Sequence, residues 1–320
     1  MTRDFNMRGL DAFATTRKIE LDPQDIAPGR ALRDHFSRFW SDARQDPRGS
    51  YDRFVAQTPE AAGVTFRSSA SADSPGIWCM PAGAAPGRAI LFLHGGAYIL
   101  GTAAAYRGFA SQLAVRTEAA VFALDYPLAP QTRLPVALDM AVDTLERLHQ
   151  RFPSITVCGD SAGGGLALAT LDAAQARGIT IAAAAVFSPW TDLTLSGQSA
   201  RDLAIADPLL DVAYLRAAAA GYLGSASAED PRASPMMDVP SGLPPVLIQV
   251  GSDEILLDDS RRYAEAAKAV GNEVTLELWQ GMHHVFQLNV TELVSARRAL
   301  DRAAKFLNQD MTGMGRWSSG

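Results

Sequence analysis

The chain has 320 residues, of which 48% are hydrophobic and 20% charged, a balance typical of a globular protein with a large buried core. The net charge of −6, without any basic run, argues against a nucleic-acid partner. No stretch approaches the ~18–20 uninterrupted apolar residues of a membrane span, and residues 1–21 lack the apolar core of a signal peptide. We therefore expect a cytoplasmic protein with no membrane partner.

The N-terminal fifth of the chain differs in pattern from the rest. Residues 1–22 are polar and weakly periodic, whereas residues 25–44 have the periodicity of an amphipathic helix. The apolar positions of this helix are Leu32, Phe36, Phe39 and Trp40. We expect that face to pack on the body of the protein, with an alternative role in lining a substrate entrance.

Apolar runs of strand length then alternate with helical patterns. Eight strands are predicted, at residues 64–68, 77–80, 89–93, 120–124, 155–158, 182–187, 246–250 and 273–279. Helices are predicted at residues 104–116, 136–151, 164–176, 259–270 and 290–307. This alternation predicts an α/β fold in which a mostly parallel sheet carries helices on both faces.

One long segment interrupts the alternation. Residues 189–242 contain no strand pattern, and an insertion of this length in an α/β sheet usually has a function. Within it, Asp207 followed by Pro208 predicts the start of a helix. We expect the segment to form a lid or cap, joined in space by the N-terminal helix. At the other end, residues 309–320 are polar and glycine-rich and are predicted to be a disordered tail.

The stretch Gly159-Asp160-Ser161-Ala162-Gly163 lies between a predicted strand and a predicted helix. A strand, a G-x-S-x-G turn and a helix, in that order, form a nucleophile elbow that holds the serine Oγ away from the backbone. The helix beginning beside the serine would point its N–H groups at the reaction centre. Ser161 is therefore a candidate nucleophile, although a glycine-rich connection in any doubly wound protein could carry the same pattern.

A nucleophilic serine needs a base within hydrogen-bond reach, and the base needs a third group to fix its tautomer. In folds whose serine lies on a nucleophile elbow, the acid and then the histidine follow the serine along the chain. His283 and His284 follow the last predicted strand, on a loop at the same end of the sheet as the elbow. They are therefore the candidate bases.

The acid should follow the strand at residues 246–250. Four carboxylates are available there, Asp253, Glu254, Asp258 and Asp259. The last two begin the next predicted helix, where a carboxylate suits the helix dipole without any catalytic role. Asp253 and Glu254 both remain candidates on the residues alone.

A third motif, His94-Gly95-Gly96-Ala97-Tyr98, directly follows the strand at residues 89–93. It is similar to the HGGG-type loop whose N–H groups, with that of the residue after the serine, form an oxyanion hole. We therefore predict oxyanion donors at Gly95, Gly96 and Ala162. The alternative is a plain glycine turn after a strand.

These residues together resemble the bacterial hormone-sensitive-lipase-like (family IV) carboxylesterases of the α/β-hydrolase fold, over about residues 64–307. The matching stretches are His94-Gly95-Gly96-Ala97, Asp125-Tyr126-Pro127-Leu128-Ala129-Pro130 (with Pro127 in place of arginine), Gly159-Asp160-Ser161-Ala162-Gly163-Gly164, Ser188-Pro189-Trp190-Thr191-Asp192 and Gly281-Met282-His283-His284-Val285-Phe286. The last stretch assigns the base to His284. Matching Leu256-Leu257-Asp258 to the family motif places the acid at Glu254, where the family usually has aspartate, and leaves Asp253 as the competitor.

The resemblance implies an α/β-hydrolase core with an eight-stranded sheet, at residues 51–189 and 239–308. It implies a helical cap made of residues 1–50 and 190–238. The implied activity is hydrolysis of short- to medium-chain acyl esters by Ser161, His284 and Glu254 through an acyl-enzyme, without a metal or organic cofactor. It also suggests homodimers.

Two alternatives to ester hydrolysis remain open. The same triad could serve an amidase or a lactonase. The chain could also be a non-catalytic small-ligand-binding module, as are the plant gibberellin receptors, which resemble this family but have lost the catalytic histidine. Cys79 and Cys158 lie in strand-like runs and are predicted to be buried free thiols, and cysteine and histidine spacing gives no zinc-like pattern.

Overall fold

The computed structural model describes residues 14–42, 46–202, 204–205 and 207–313. Nine strands lie within this part of the chain: β1 (Ala14–Ile19), β2 (Val64–Ser68), β3 (Gly76–Pro81), β4 (Arg88–Leu93), β5 (Ala120–Leu124), β6 (Ser154–Asp160), β7 (Ala183–Phe187), β8 (Val246–Gly251) and β9 (Val274–Trp279). The helices are α1 (Ile26–Asp42), α2 (Pro47–Val55), α3 (Arg107–Thr117), α4 (Val136–His149), α5 (Ser161–Ala176), α6 (Val212–Leu223), α7 (Leu257–Ala269) and α8 (Val294–Gly313).

The strands form one sheet in the order β1-β9-β8-β7-β6-β4-β5-β3-β2. Along this order, the seven strands from β1 to β5 are all parallel to their neighbours. The last two strands differ, because β3 pairs antiparallel with both β5 and β2. The predicted α/β class and the mostly parallel sheet are therefore confirmed. The predicted strand count of eight is wrong by one, because β1 adds a ninth strand at the edge.

Two hydrophobic layers cover the sheet. Alternate residues of the central strands face opposite layers, so Leu91 and Leu93 join one cluster while Ile90 and Phe92 join the other. Helices α4, α5 and α7 supply the first layer, and α3 and α8 supply the second. Burial on both faces explains why the central strands read as unbroken apolar runs.

Strand β1 is the element that sequence reasoning missed. Its residues pair in parallel register with β9, from Ala14 with Val274 to Ile19 with Trp279. Most of its side chains are exposed, so the segment lacks the apolar face by which a strand is recognised. Residues 14–19, which we expected to lie in the cap, therefore belong to the sheet.

Two helix starts near the cavity described below also differ from expectation. Helix α2 is a second N-terminal helix, which was not predicted. Asp46 is its N-cap and Pro47 occupies its first position, both of which are typical of a helix start. In the inserted segment, α6 begins at Val212 with Asp211 as its N-cap, four residues after the start predicted from Asp207. An aspartate followed by proline suits a turn as well as a helix start, which explains the difference.

The ends of the described chain carry two further expectations. Leu32 and Phe36 of α1 are buried as predicted, while the side chains of Phe39 and Trp40 lie outside the described part. Helix α8 continues to Gly313, so residues 309–313 of the predicted tail are helical. Residues 314–320 lie outside the described part.

Both cysteines are buried free thiols, as predicted. Cys79 lies in β3 and Cys158 in β6, and burial raises the pKa of each thiol to about 12. Neither is available as a reactive thiolate at neutral pH.

The topology determines where functional loops meet. Strands β4, β6, β8 and β9 are parallel, so their carboxyl ends lie along one edge of the sheet. The glycine loop, Ser161, Glu254 and His284 each follow one of these ends.

Candidate active site

Ser161 lies where β6 ends and α5 begins. Its backbone φ of 52° falls in the left-handed region, which costs a non-glycine residue about 1–3 kcal/mol. A Cβ added at Gly159 would lie 2.2 Å from the Gly163 carbonyl oxygen, and one at Gly163 would lie 2.1 Å from the Leu93 carbonyl oxygen. The two glycines therefore let the turn, α5 and β4 pack closely around the strained serine.

Gly163 offers a direct test of this packing. We expect Gly163→Ala to lower the free energy of unfolding by about 3 kcal/mol or more, because the new methyl group would overlap backbone atoms that cannot move aside. Urea unfolding followed by circular dichroism measures the change. Gly221→Ala is the matched control, since Gly221 is also inside a helix but has nothing within 4 Å of an added Cβ. There we expect a gain of up to about 1 kcal/mol. Equal stability of the two variants would contradict the packing argument.

The His284 ring lies between Ser161 and Glu254. Its Nε2 is 2.9 Å from Ser161 Oγ, and its Nδ1 is 2.6 Å from Glu254 Oε2. With the proton on Nδ1 donated to the carboxylate, Nε2 is left to accept the serine hydroxyl proton. The arrangement can therefore activate a serine nucleophile.

Geometry separates the two acid candidates. Glu254 is fully buried, and its Oε1 accepts hydrogen bonds from Gly251 N (2.7 Å) and Ser188 Oγ (2.8 Å). The Asp253 side chain is 41% exposed and forms an ion pair of 2.6 Å with Arg33 of α1. The structure thus brings Glu254, and not its neighbour, to the histidine.

Ser188 opens one of the stretches that match the family, but the sequence analysis gave it no role in the site. Its hydroxyl donates to Glu254 Oε1 and accepts from Val285 N at 3.1 Å, so it joins the acid to the residue after His284. Its φ of 47° is left-handed, as is that of Val285. The available signal was its position directly after β7, between the strands that carry the serine and the acid.

The charges around His284 strengthen it as a base. Burial alone would lower the pKa of the imidazole, but the Glu254 carboxylate overcomes this through its charge and its hydrogen bond. Asp207 and Asp160 act in the same direction, and the net result is a raised pKa. The ring is therefore more ready than an ordinary histidine to hold a proton taken from Ser161.

The other candidate histidine and His94 have structural contacts. His283 Nε2 is 3.0 Å from Asn289 Oδ1, and burial lowers the pKa of this ring to about 4. His94 Nδ1 is 2.8 Å from the Gly95 carbonyl oxygen, and its ring stacks on Tyr126 with centroids 4.4 Å apart. Each ring therefore stabilises the loop in which it lies and does not contact Ser161 through a hydrogen bond.

The glycine loop differs from expectation at one donor. Gly95 N donates to Asp160 Oδ1 at 2.9 Å, so this N–H is already used and our prediction of it as an oxyanion donor is wrong. Gly96 and Ala97 line the cavity beside Ser161, and their N–H groups donate to no residue in the described part of the chain. The Ala162 N–H lies in the first turn of α5, where no helical acceptor exists.

Asp160 holds the glycine loop against the elbow. It is fully buried, and besides Gly95 N it accepts a hydrogen bond of 2.8 Å from the Tyr106 hydroxyl. That hydroxyl lies 2.7 Å from the hydroxyl of Tyr51, on α2. Burial raises the pKa of Asp160 to about 7, against the opposing effect of these hydrogen bonds. The hydrogen bond between Gly95 and Asp160 therefore fixes the glycine loop relative to Ser161.

A cavity of about 490 Å³ opens above Ser161. Its floor contains Gly96, Ala97, Asp160, Ser161, His284 and Val285. Its other walls come from Leu100, from Leu288, from Pro47, Tyr51 and Phe54 of α2, and from Leu209, Leu210, Asp211, Tyr214 and Leu215 at the start of α6. Most of these side chains are apolar, and the volume suits a small organic ligand.

Across the residues that the structure describes, no three His, Cys, Asp or Glu side chains are grouped so that they could hold a metal ion. None of the described helices combines the length and the apolar character needed to cross a membrane.

The family profile described as the alpha/beta hydrolase fold matches residues 90–288. An acetyl-hydrolase of Streptomyces hygroscopicus is 42% identical over 242 residues, which cover 74% of this chain and 80% of that protein. An esterase of Acinetobacter venetianus is 39% identical over 222 residues, covering 68% of this chain and 73% of that protein.

Solved structures of esterases are also similar to this chain. An esterase from the bacterial hormone-sensitive lipase family superposes with a TM-score of 0.84 at 32% identity, covering 89% of this chain and 98% of that chain. The hormone-sensitive-lipase homologue EstE7, from a metagenome library, superposes with a TM-score of 0.83 at 33% identity, covering 88% of this chain and 98% of that chain.

Proposed function

Because this chain belongs to the hormone-sensitive-lipase-like (family IV) carboxylesterases of the α/β-hydrolase superfamily, we propose that its ester hydrolysis is carried out by Ser161, His284 and Glu254. Ser161 Oγ attacks the ester carbonyl while His284 Nε2 takes its proton and then gives it to the leaving alcohol. Glu254 fixes the imidazole tautomer and stabilises the imidazolium. Water then repeats the sequence on the acyl-enzyme. The observation that carries this proposal is the pair of contacts on His284, 2.9 Å to Ser161 Oγ and 2.6 Å to Glu254 Oε2.

We assign the oxyanion donors to the N–H groups of Gly96, Ala97 and Ala162. All three lie beside Ser161, and the first two donate nothing to the rest of the described chain. Donors held in place before the reaction stabilise the tetrahedral intermediate without reorganising. Gly95 supports this set indirectly, by fixing the loop to Asp160.

The substrates that we propose are esters of short- to medium-chain acids. An apolar cavity of about 490 Å³ supports this, as does the similarity to an acetyl-hydrolase and to an esterase whose crystals were soaked in p-nitrophenyl butyrate. We further propose that α1, α2 and residues 190–238 act as the cap, because α2 and the start of α6 line the cavity. A homodimer and a cytoplasmic location remain predictions, for light scattering and cell fractionation respectively.

Hydrolysis of p-nitrophenyl esters with C2 to C16 acyl chains tests the substrate class. We expect the highest kcat/KM among the short and medium chains, because longer acyl groups exceed the cavity. A phosphonate probe identifies the nucleophile independently, since mass spectrometry of the labelled protein should place the phosphonate on Ser161. Labelling at another residue, or an optimum at C16, would contradict the respective part of the proposal. Parallel assays on amides and lactones measure the alternative activities of the same triad.

The pH profile should report the raised pKa of His284. Only the neutral imidazole can accept the serine proton, so kcat/KM should fall as the pH falls through the pKa of this ring. Because the surrounding carboxylates raise that pKa, the midpoint is expected above about 6.5, the ordinary histidine value. Initial rates with p-nitrophenyl butyrate between about pH 5 and 9, in buffers of constant ionic strength, measure it. A midpoint below the ordinary value would mean that burial outweighs the carboxylates.

A further inference from the structure

Asp207 joins the cavity wall to the turn that carries Glu254. Its Oδ1 accepts hydrogen bonds from the backbone N–H groups of Leu209 (2.9 Å) and Leu210 (3.0 Å). Its Oδ2 accepts one from Ile255 N at 3.0 Å. Leu209 and Leu210 line the cavity, and Ile255 directly follows Glu254. One carboxylate therefore fastens the inserted segment to the turn of the acid.

The charge of Asp207 also acts on the site. Burial raises the pKa of Asp207, and the charge of His284 and the backbone donors oppose this by favouring the ionised carboxylate. The carboxylates that favour the protonated form of His284 are Glu254 after β8, Asp207 in the inserted segment and Asp160 at the end of β6. His283, adjacent in the chain, has the pKa of about 4 described above and is neutral at the working pH. Of the three carboxylates, Asp207 is the one that lies in the inserted segment and not at the end of a strand or in the turn after it.

We propose that Asp207 is a positioning residue of this esterase site, which holds the Glu254 turn in place and adds a second negative charge that stabilises the His284 imidazolium. This inference rests on the proposed triad. The imidazolium forms when the serine proton is transferred, so a nearby carboxylate lowers the energy of that step. Because the same carboxylate holds Leu209 and Leu210, the strength of the base depends on the position of the cavity wall.

Asp207→Asn removes the charge with little change in shape. We expect the midpoint of the kcat/KM pH profile to move to lower pH by roughly 0.5–1 unit. We also expect the plateau at high pH to fall about tenfold, since the amide cannot accept all three hydrogen bonds and the acid turn loosens. A loss of structure alone would lower the plateau without moving the midpoint.

Asp202→Asn is the matched control. Asp202 lies in the same segment, is exposed, and accepts a hydrogen bond from Ala204 N at 2.9 Å in a similar local turn. Its replacement removes the same charge and is expected to leave the midpoint unchanged. An unchanged midpoint in Asp207→Asn, or an equal shift in Asp202→Asn, would overturn the inference.

Asp207→Glu keeps the proposal testable if Asp207→Asn does not fold, as judged by circular dichroism and Tm. It retains the charge but displaces the carboxylate, so we expect the wild-type midpoint with a lower plateau. A glutamate variant whose midpoint falls by half a unit would overturn the electrostatic role. If the wild-type protein shows no hydrolysis or no pH midpoint, the proposed triad fails as well. If wild type and Asp202→Asn behave normally while the Asp207 variants keep the wild-type midpoint and plateau, only this inference fails.

Discussion

Ser161→Ala is expected to lower kcat/KM for p-nitrophenyl butyrate by about 10⁴–10⁶-fold, by analogy with triads in which the nucleophile was removed. The substitution deletes only Oγ, the atom that lies 2.9 Å from His284 Nε2. Alanine inherits the left-handed backbone of the serine, so the fold and the cavity should persist. Steady-state kinetics at the high-pH plateau measure the loss, and the Tm reports on the fold.

Ser260→Ala is the control for this variant. Ser260 is fully buried in α7, and its hydroxyl has no hydrogen-bond partner in the described part of the chain. Its removal should leave kcat/KM within about twofold of wild type, because it touches neither the triad nor the cavity. Ser161→Ala with substantial remaining activity would mean that another group attacks the ester.

Glu254→Gln is expected to lower kcat by about 10²–10⁴-fold, as neutral amides do in place of the acid of other triads. The wild-type carboxylate accepts from His284 Nδ1, Gly251 N and Ser188 Oγ, whereas an amide nitrogen cannot accept from any of them. Loss of the negative charge should also move the midpoint of the pH profile downward, since this carboxylate is the main group raising the pKa of His284. Kinetics from about pH 5 to 9 measure both effects.

Asp253→Asn is the matched control, one residue away. The Asp253 carboxylate is partly exposed and pairs with Arg33, so its loss should cost at most about 1 kcal/mol of stability and leave kcat within a few fold. If Asp253→Asn is the inactive variant and Glu254→Gln is nearly normal, the assignment of the acid is wrong.

The sequence predicted the central sheet because its strands are buried on both faces and read as unbroken apolar runs. Edge strand β1 escaped prediction because pairing with β9, and not an apolar face, holds it in place. Helix α2 also escaped prediction. Asp46 and Pro47 are typical of a helix start, but a helix this short shows little hydrophobic periodicity.

The candidate site was predictable where a motif constrains the backbone. Ser161 follows from a turn that few residues can form, whereas His284 was separated from His283 by the resemblance to the family motif. Asp253 and Glu254 could not be told apart on residue type, since both are carboxylates after the same strand. The structure distinguishes them, because Glu254 is buried against His284 while Asp253 is partly exposed and pairs with Arg33. Gly95 was misassigned because two adjacent glycines do not reveal which N–H faces the cavity, and Asp160 takes that of Gly95.

Strand β1 also has a consequence for how the molecule is made. Residue 14 pairs with residue 274, so β1 must wait for a partner strand that is synthesised 260 residues later. On the ribosome this edge of the sheet can therefore close only after β9 has emerged, when the serine elbow has already had time to form. Pairing at such sequence separation is slow, which makes completion of this edge a late event in folding.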